Sequence, residues 1–220
     1  MQCIKDTIKN INIVIGCNIG CSYCYARMNN NRFHTIDDFN KPVFFENKLK
    51  MLDKKRHTAY LLTGQSDLSG WNEEWKNKVF SKMKENENTQ YIFLTKRPEN
   101  INLKETPDNG WFGVTVTSSK EKTRIDYLRN NIKAKHYHIT FEPMFDDVGK
   151  LDLSNISWIV IGTETGNRKG KISSKREWVF NIYNQAKEKN IPVFMKEDLL
   201  GILNEDEFVQ EFPKEFGGIK

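Results

Sequence analysis

Seven short apolar runs, separated by polar or helix-patterned stretches, limit what this chain can fold into. They are Ile11–Ile15, Tyr60–Thr63, Tyr91–Thr95, Trp111–Val116, Tyr137–Phe141, Trp158–Ile161 and Pro192–Lys196. Runs of four to six residues, rich in Ile, Val, Phe and Tyr, read as buried strands. Between them, apolar residues at 44, 45, 49 and 52 predict a helix over 44–55. Trp75, Val79, Phe80 and Met83 predict another over 72–85, and further helices are expected over 120–131 and 175–189. Thr117, Ser118 and Ser119 are hydroxyls placed to cap the third of these. Strands alternating with helices imply a parallel sheet, and successive right-handed crossovers curl such a sheet. The expectation is an α/β fold: a full or partial parallel (β/α) barrel of six to seven strands in one domain over 1–220. An acidic, aromatic stretch from 203 onward reads as a closing helix or strap.

Composition narrows the class. Hydrophobic residues make up 38% and aromatics 12% of the 220, enough for a full core. No stretch approaches a membrane span, and residues 1–10 lack the apolar centre of a signal peptide. With four cysteines, three of them clustered, the chain reads as a cytoplasmic protein with reduced thiols and no membrane partner. The net charge of +5 is diffuse and by itself gives weak support for a nucleic-acid partner.

The polar residues collect at the strand exits: Cys17, then Gly64, Gln65, Ser66 and Asp67, then Lys96 and Arg97, Glu142, Glu164 and Lys196. In a parallel barrel these exits share one mouth. The first exit carries Cys17, Cys21 and Cys24 with gaps of three and two. Three thiols on one loop can hold a metal centre and leave a corner open. A structural zinc wants four protein ligands, so a zinc reading needs His34 or Cys3 as the fourth. A cluster that only carries electrons is usually held by four cysteines, which counts against a redox carrier.

The spacing CxxxCxxC with Tyr23 before its last cysteine resembles the signature of the radical S-adenosylmethionine superfamily. The resemblance implies that Cys17, Cys21 and Cys24 hold a [4Fe-4S] cluster whose fourth iron takes S-adenosyl-L-methionine. Reductive cleavage of the sulfonium would then start radical chemistry. It also implies an external electron donor of the flavodoxin or ferredoxin type, and it places Tyr23 against adenine. The family's Gly-Gly-Glu-like turn, which receives the amino group, corresponds here to Thr63-Gly64-Gln65-Ser66-Asp67. One glycine remains, so Gln65, Ser66 or Asp67 must serve. Lys96 or Arg97 suits the cofactor carboxylate. Thr115, Thr117 and Glu142 compete for the ribose, and the Gly162–Gly166 turn with Glu164 is placed for adenine or substrate.

Read together, Cys-Tyr-Ala, Ser-Asp-Leu, Leu-Thr-Lys-Arg-Pro, Gly-Val-Thr-Val, Phe-Glu-Pro, Ile-Gly-Thr-Glu-Thr-Gly and Phe-Met-Lys resemble the phage and prophage three-Cys-motif family. The likeness runs from about Ile13 to Lys196. The chain departs from it in its compact cysteine loop and in Gly162-Thr-Glu-Thr-Gly166, where relatives carry Gly-Gly-Glu-Ser-Gly. The family's reaction is unassigned. Lys96, Arg97, Arg168, Lys169 and Lys171 suggest a basic rim for a phosphate-bearing small molecule, nucleotide or nucleic acid. The competing reading is a nucleic-acid-binding phage-type protein with a structural zinc or iron–sulfur site and no cofactor cleavage.

Overall fold

The computed structural model describes residues 2–53 and 59–217. In chain order the elements are α1 (Ile4–Thr7), β1 (Ile8–Asn10), β2 (Val14–Ile15), α2 (Tyr25–Phe33), β3 (Val43–Phe44), β4 (Ala59–Leu61), α3 (Glu73–Lys84) and β5 (Gln90–Thr95). They continue with β6 (Gly110–Thr115), α4 (Thr123–Asn131), β7 (His136–Phe141), β8 (Ile156–Ile161), α5 (Arg176–Glu188) and β9 (Val193–Met195). Seven strands form one sheet in the order β1-β4-β5-β6-β7-β8-β9, with every neighbour parallel. Sequential parallel pairing with β1 and β9 left as edges makes a curled half-barrel, so the expected partial barrel is what forms.

The first strand differs from expectation. Ile8–Asn10, not Ile11–Ile15, enters the large sheet. Val14 and Ile15 turn aside into a small antiparallel pair with Val43 and Phe44. The same pairing replaces the helix expected over 44–55: Phe44 lies opposite Val14 and stacks on Trp75 at 5.7 Å, leaving a 3-10 run over Glu46–Asp53. Positions 54 and 55 of that expectation lie outside the described residues.

Helices form where periodicity and caps agree. Asn72 caps α3 by accepting the Trp75 amide at 2.9 Å, and Val79, Phe80 and Met83 are its buried stripe. Phe80 meets Phe93 and Phe112 edge-on, and those two rings stack at 4.9 Å across β5 and β6. Truncating Phe93 to alanine would cost about 3–5 kcal/mol in so closed a site. The hydroxyls before α4 do other work than expected. A 3-10 turn, Ser119–Glu121, intervenes. Thr117 gives its amide and hydroxyl to Glu121 at 2.8 and 2.7 Å, and Ser119 gives its own to Asp146.

Helices α3, α4 and α5 cover the convex face with the larger core. The concave face has its own core, built near the strand beginnings from Ile8, Ala59, Ile92, Trp111 and Trp158. The C-terminal segment is a strap, with short 3-10 turns at Glu205–Glu207 and Lys214–Phe216. Phe212 and Phe216 press on Trp158 from it, and Phe216 meets Trp111 edge-on at 4.8 Å. The strap therefore fills the lower half of the concavity and leaves the strand exits open.

Candidate functional site

Strand alternation decides which side chains reach the mouth. On β6, Trp111, Gly113 and Thr115 face the concave side, as do His138, Thr140 and Glu142 along β7. The register pairs Thr115 with Thr140, Thr140 with Val160 and Val160 with Phe194. One residue past the pairing of Thr95 with Val114, Lys96 joins that row. The next row up holds Thr117, Glu142, Gly162 and Lys196. Residues scattered over a hundred positions thus form two adjacent shelves.

Glu142, Lys196 and Asp198 form an ion triad on the upper shelf. The Lys196 ammonium contacts Glu142 Oε1 and lies 3.1 Å from Asp198 Oδ2. Burial works against the lysine's charge, but the two carboxylates outweigh it and leave its pKa raised. Burial pushes the Glu142 carboxyl up, with Lys196 working against it. Gly162 makes this possible: a Cβ there would come within 3.1 Å of Asp198 Oδ1 and 3.2 Å of the Glu142 carboxyl carbon.

The cysteine loop stands at the same mouth, and Tyr25 beside Cys24 is within electrostatic reach of Glu142 and Lys196. The loop is stitched to β4's exit by the Gly16 amide, which donates to the Gln65 carbonyl at 3.0 Å, and by the Gly16–Ser66 bridge. The Cys17 amide donates to Phe39, and the Arg27 guanidinium reaches the Cys17 carbonyl at 2.8 Å while lying over the Phe39 ring. Cys24 is the N-cap of α2, its sulfur accepting the Arg27 amide at 3.4 Å. Burial pushes the Cys17 thiol up to about 11, with Asp67, Cys21 and Cys24 adding to the rise. The three loop thiols are thus electrostatic neighbours. Among the described residues, however, no three His, Cys, Asp or Glu side chains stand in a metal-holding arrangement. Cys3 lies apart and donates to Glu197 Oε1 at 3.0 Å, and His34 is the exposed, left-handed C-cap of α2.

Tyr23 is packed at the loop's inner side, edge-on to Phe145 at 5.4 Å with the Lys96 ammonium 5.7 Å from its ring centroid. Burial and the adjacent Cys21 thiol hold its hydroxyl well above its ordinary range.

The turn after β4 is largely committed to the protein. Tyr25 donates to the Gly64 carbonyl at 2.5 Å, Ser66 Oγ accepts Trp71 Nε1, and the Ser66 amide goes to Thr63. Asp67 accepts from Ser69, Thr95 Oγ1 and the Lys96 amide, so it positions the Lys96 exit rather than facing a ligand. Asn12 went unnoticed in the sequence. Its Oδ1 is buried without a hydrogen-bond partner and lies 3.0 Å from where a Gly64 Cβ would be. An orphaned acceptor at this turn is the kind of atom a donating ligand satisfies. Its signal was faint, since Asn12 interrupts an apolar run.

Glu164, another expected ligand contact, is spoken for. Arg168 grips it through two nitrogens at 2.5 and 2.8 Å, and the Ile172 amide adds a third donor at 3.3 Å. That pairing closes the 164–172 loop on itself and removes Arg168 from the basic rim. Thr117 is likewise occupied by Glu121. Thr115, Lys96 and Arg97 remain at the mouth.

A model of the family described as "Protein of unknown function (DUF5131)" matches residues 2–217. The chain belongs to this DUF5131 family. No curated protein and no solved structure matches it. The family match spans both the cysteine loop and the triad. No helix among the described residues of this DUF5131 protein is long and apolar enough to cross a membrane.

Proposed function

We propose that this DUF5131 protein is a radical S-adenosylmethionine enzyme, with Cys17, Cys21 and Cys24 as ligands of a [4Fe-4S] cluster. The observation that carries the reading is the position of the three-thiol loop. It is bonded to the exit of β4 at the open mouth of an all-parallel half-barrel whose lower half is plugged. When bound, the cluster and S-adenosylmethionine supply a one-electron cleavage of the sulfonium that yields a carbon radical. The donor set suits such a group: three thiols on one loop that act on one another electrostatically, and an orphaned acceptor at the adjoining turn. Metal sites of this kind are completed on loading, when thiols deprotonate and turn to the metal.

The chain's own residues then have distinct tasks. Asn12 Oδ1 and the Gln65 side chain receive the cofactor's amino group, because the Thr63, Gly64 and Gln65 carbonyls are already taken. Lys96, whose ammonium lies by the Tyr23 ring, neutralises its carboxylate. Tyr23 backs the adenine, and Thr115 with Thr140 offers hydroxyls to the ribose. The Glu142–Lys196–Asp198 triad sets the polarity of the wall at the exits of β7 and β9, and Phe212 and Phe216 keep water from entering below. An external donor of the flavodoxin or ferredoxin type supplies the electron.

The test is product formation. Reconstituted protein, reduced with dithionite beside S-adenosylmethionine, should release 5′-deoxyadenosine. A cluster-loaded protein that neither binds nor cleaves the cofactor would overturn the reading.

A further inference from the structure

A groove of about 490 Å³ opens between the exit of β5 and the first turns of α4, next to the cysteine loop. Lys96, Arg97, Lys120 and Arg124 line it, with Ile19 of the cysteine loop on one side and Tyr127 on the other. Its carboxylates do not balance these cations. Glu121 is held by Thr117 and by Arg124 at 2.7 Å, which leaves Glu99 facing Lys96, Arg97 and Lys120. Among the described residues, none of those three cations forms an ion pair. By contrast, Arg168 at the exit of β8 is neutralised by Glu164, and Lys196 at the exit of β9 by Glu142 and Asp198.

We infer that this groove binds single-stranded nucleic acid, with backbone phosphates on Arg97 and Lys120 and a base against Tyr127. Unpaired cations along a groove suit the repeated charge of a strand. Tyr127 is about half exposed (46%) on α4, one turn beyond Arg124, and an exposed ring beside a cationic track is what a base stacks on. A duplex would need a wider surface than this single groove offers. The same track ends at Ile19, within the Cys17–Cys21 segment, so a bound strand would pass the proposed cluster. That the strand is the substrate rests on the function proposed above; that it binds does not.

The experiment uses the full chain and a fluorescein-labelled single-stranded 12-mer, read by anisotropy at two salt concentrations, with iron content measured on the same samples. Lys120→Glu should weaken binding roughly tenfold and lower the salt dependence. Tyr127→Ala should weaken it about fivefold or more with the salt dependence unchanged. Lys189→Glu, on the exposed end of α5, changes net charge equally and should leave affinity within about twofold. No binding at low salt, or equal losses from Lys120→Glu and Lys189→Glu, would overturn the groove assignment. Equal competition by a mononucleotide would overturn the strand and point to a small phosphorylated ligand. Iron content sorts these outcomes from failure of the cluster reading, because none of the three substitutions touches a cysteine.

Discussion

Gly113 and His138 lie opposite each other on β6 and β7, and the missing side chain of one is the space occupied by the other. A Cβ on Gly113 would fall 2.3 Å from His138 Nε2. The imidazole crosses over β6 through that gap and its Nε2 meets the Phe93 carbonyl on β5 at 3.0 Å. One side chain thus ties three strands of the concave face just below the mouth.

Gly113→Ala should therefore destabilise the protein by about 2–4 kcal/mol, since neither backbone nor buried ring can yield cheaply. Chemical denaturation would show it. A change under about 0.5 kcal/mol would mean that His138 has another place to go.

His138 also carries a pH dependence. Burial lowers its pKa from 6.5 to about 4. The unfolded chain then binds a proton that the folded one refuses, so this contribution is full above pH 6.5 and lost as pH falls toward 4. The loss is on the order of 3 kcal/mol across that window. In His138→Gln, which can still reach Phe93 but does not titrate, stability should fall less steeply over the same range. Parallel pH profiles for the two proteins would contradict this.

The triad gives a third expectation. Lys196→Met leaves Glu142 and Asp198 without their shared cation and should cost about 2–4 kcal/mol. Adding Glu142→Gln should recover part of that loss, because one of the stranded charges is gone. A double-mutant cycle with no coupling would show that Lys196 does not bridge the two acids.

Arg168→Ala leaves the Glu164 carboxylate with only the Ile172 amide and should loosen the 164–172 loop, raising its protease sensitivity. It should leave affinity for both oligonucleotide and cofactor unchanged, because the guanidinium is occupied within its own loop. Loss of oligonucleotide binding in this variant would return Arg168 to the ligand surface.

The strands were readable because their burial is written as short apolar runs with polar exits, and six of the seven sheet strands fall on those runs. The first was misplaced because Ile11, Ile13, Val14 and Ile15 are as buried as any strand core, yet they serve the crossing into the β2–β3 pair. Sequence shows burial, not the partner. The same limit governed the site. Which residues reach the mouth follows from alternation, so Lys96, Thr115 and Glu142 could be read in advance. Which of them are already paired depends on neighbours far along the chain. Glu164, Thr117 and Asp67 looked free only because Arg168, Glu121 and Ser69 could not be matched to them beforehand. Asn12 stayed hidden for the opposite reason, since an orphaned acceptor has no sequence signature.

The most direct test of the central claim is the iron and sulfide content of anaerobically reconstituted protein, compared across single cysteine variants. With a cluster on the loop, wild type and Cys3→Ala should each hold about four irons and four sulfides per chain. Cys17→Ala, Cys21→Ala and Cys24→Ala should each hold less than about one while remaining folded. Zinc without sulfide in the wild type, or a full iron complement in Cys21→Ala, would contradict the assignment of the three-thiol loop as the cluster site.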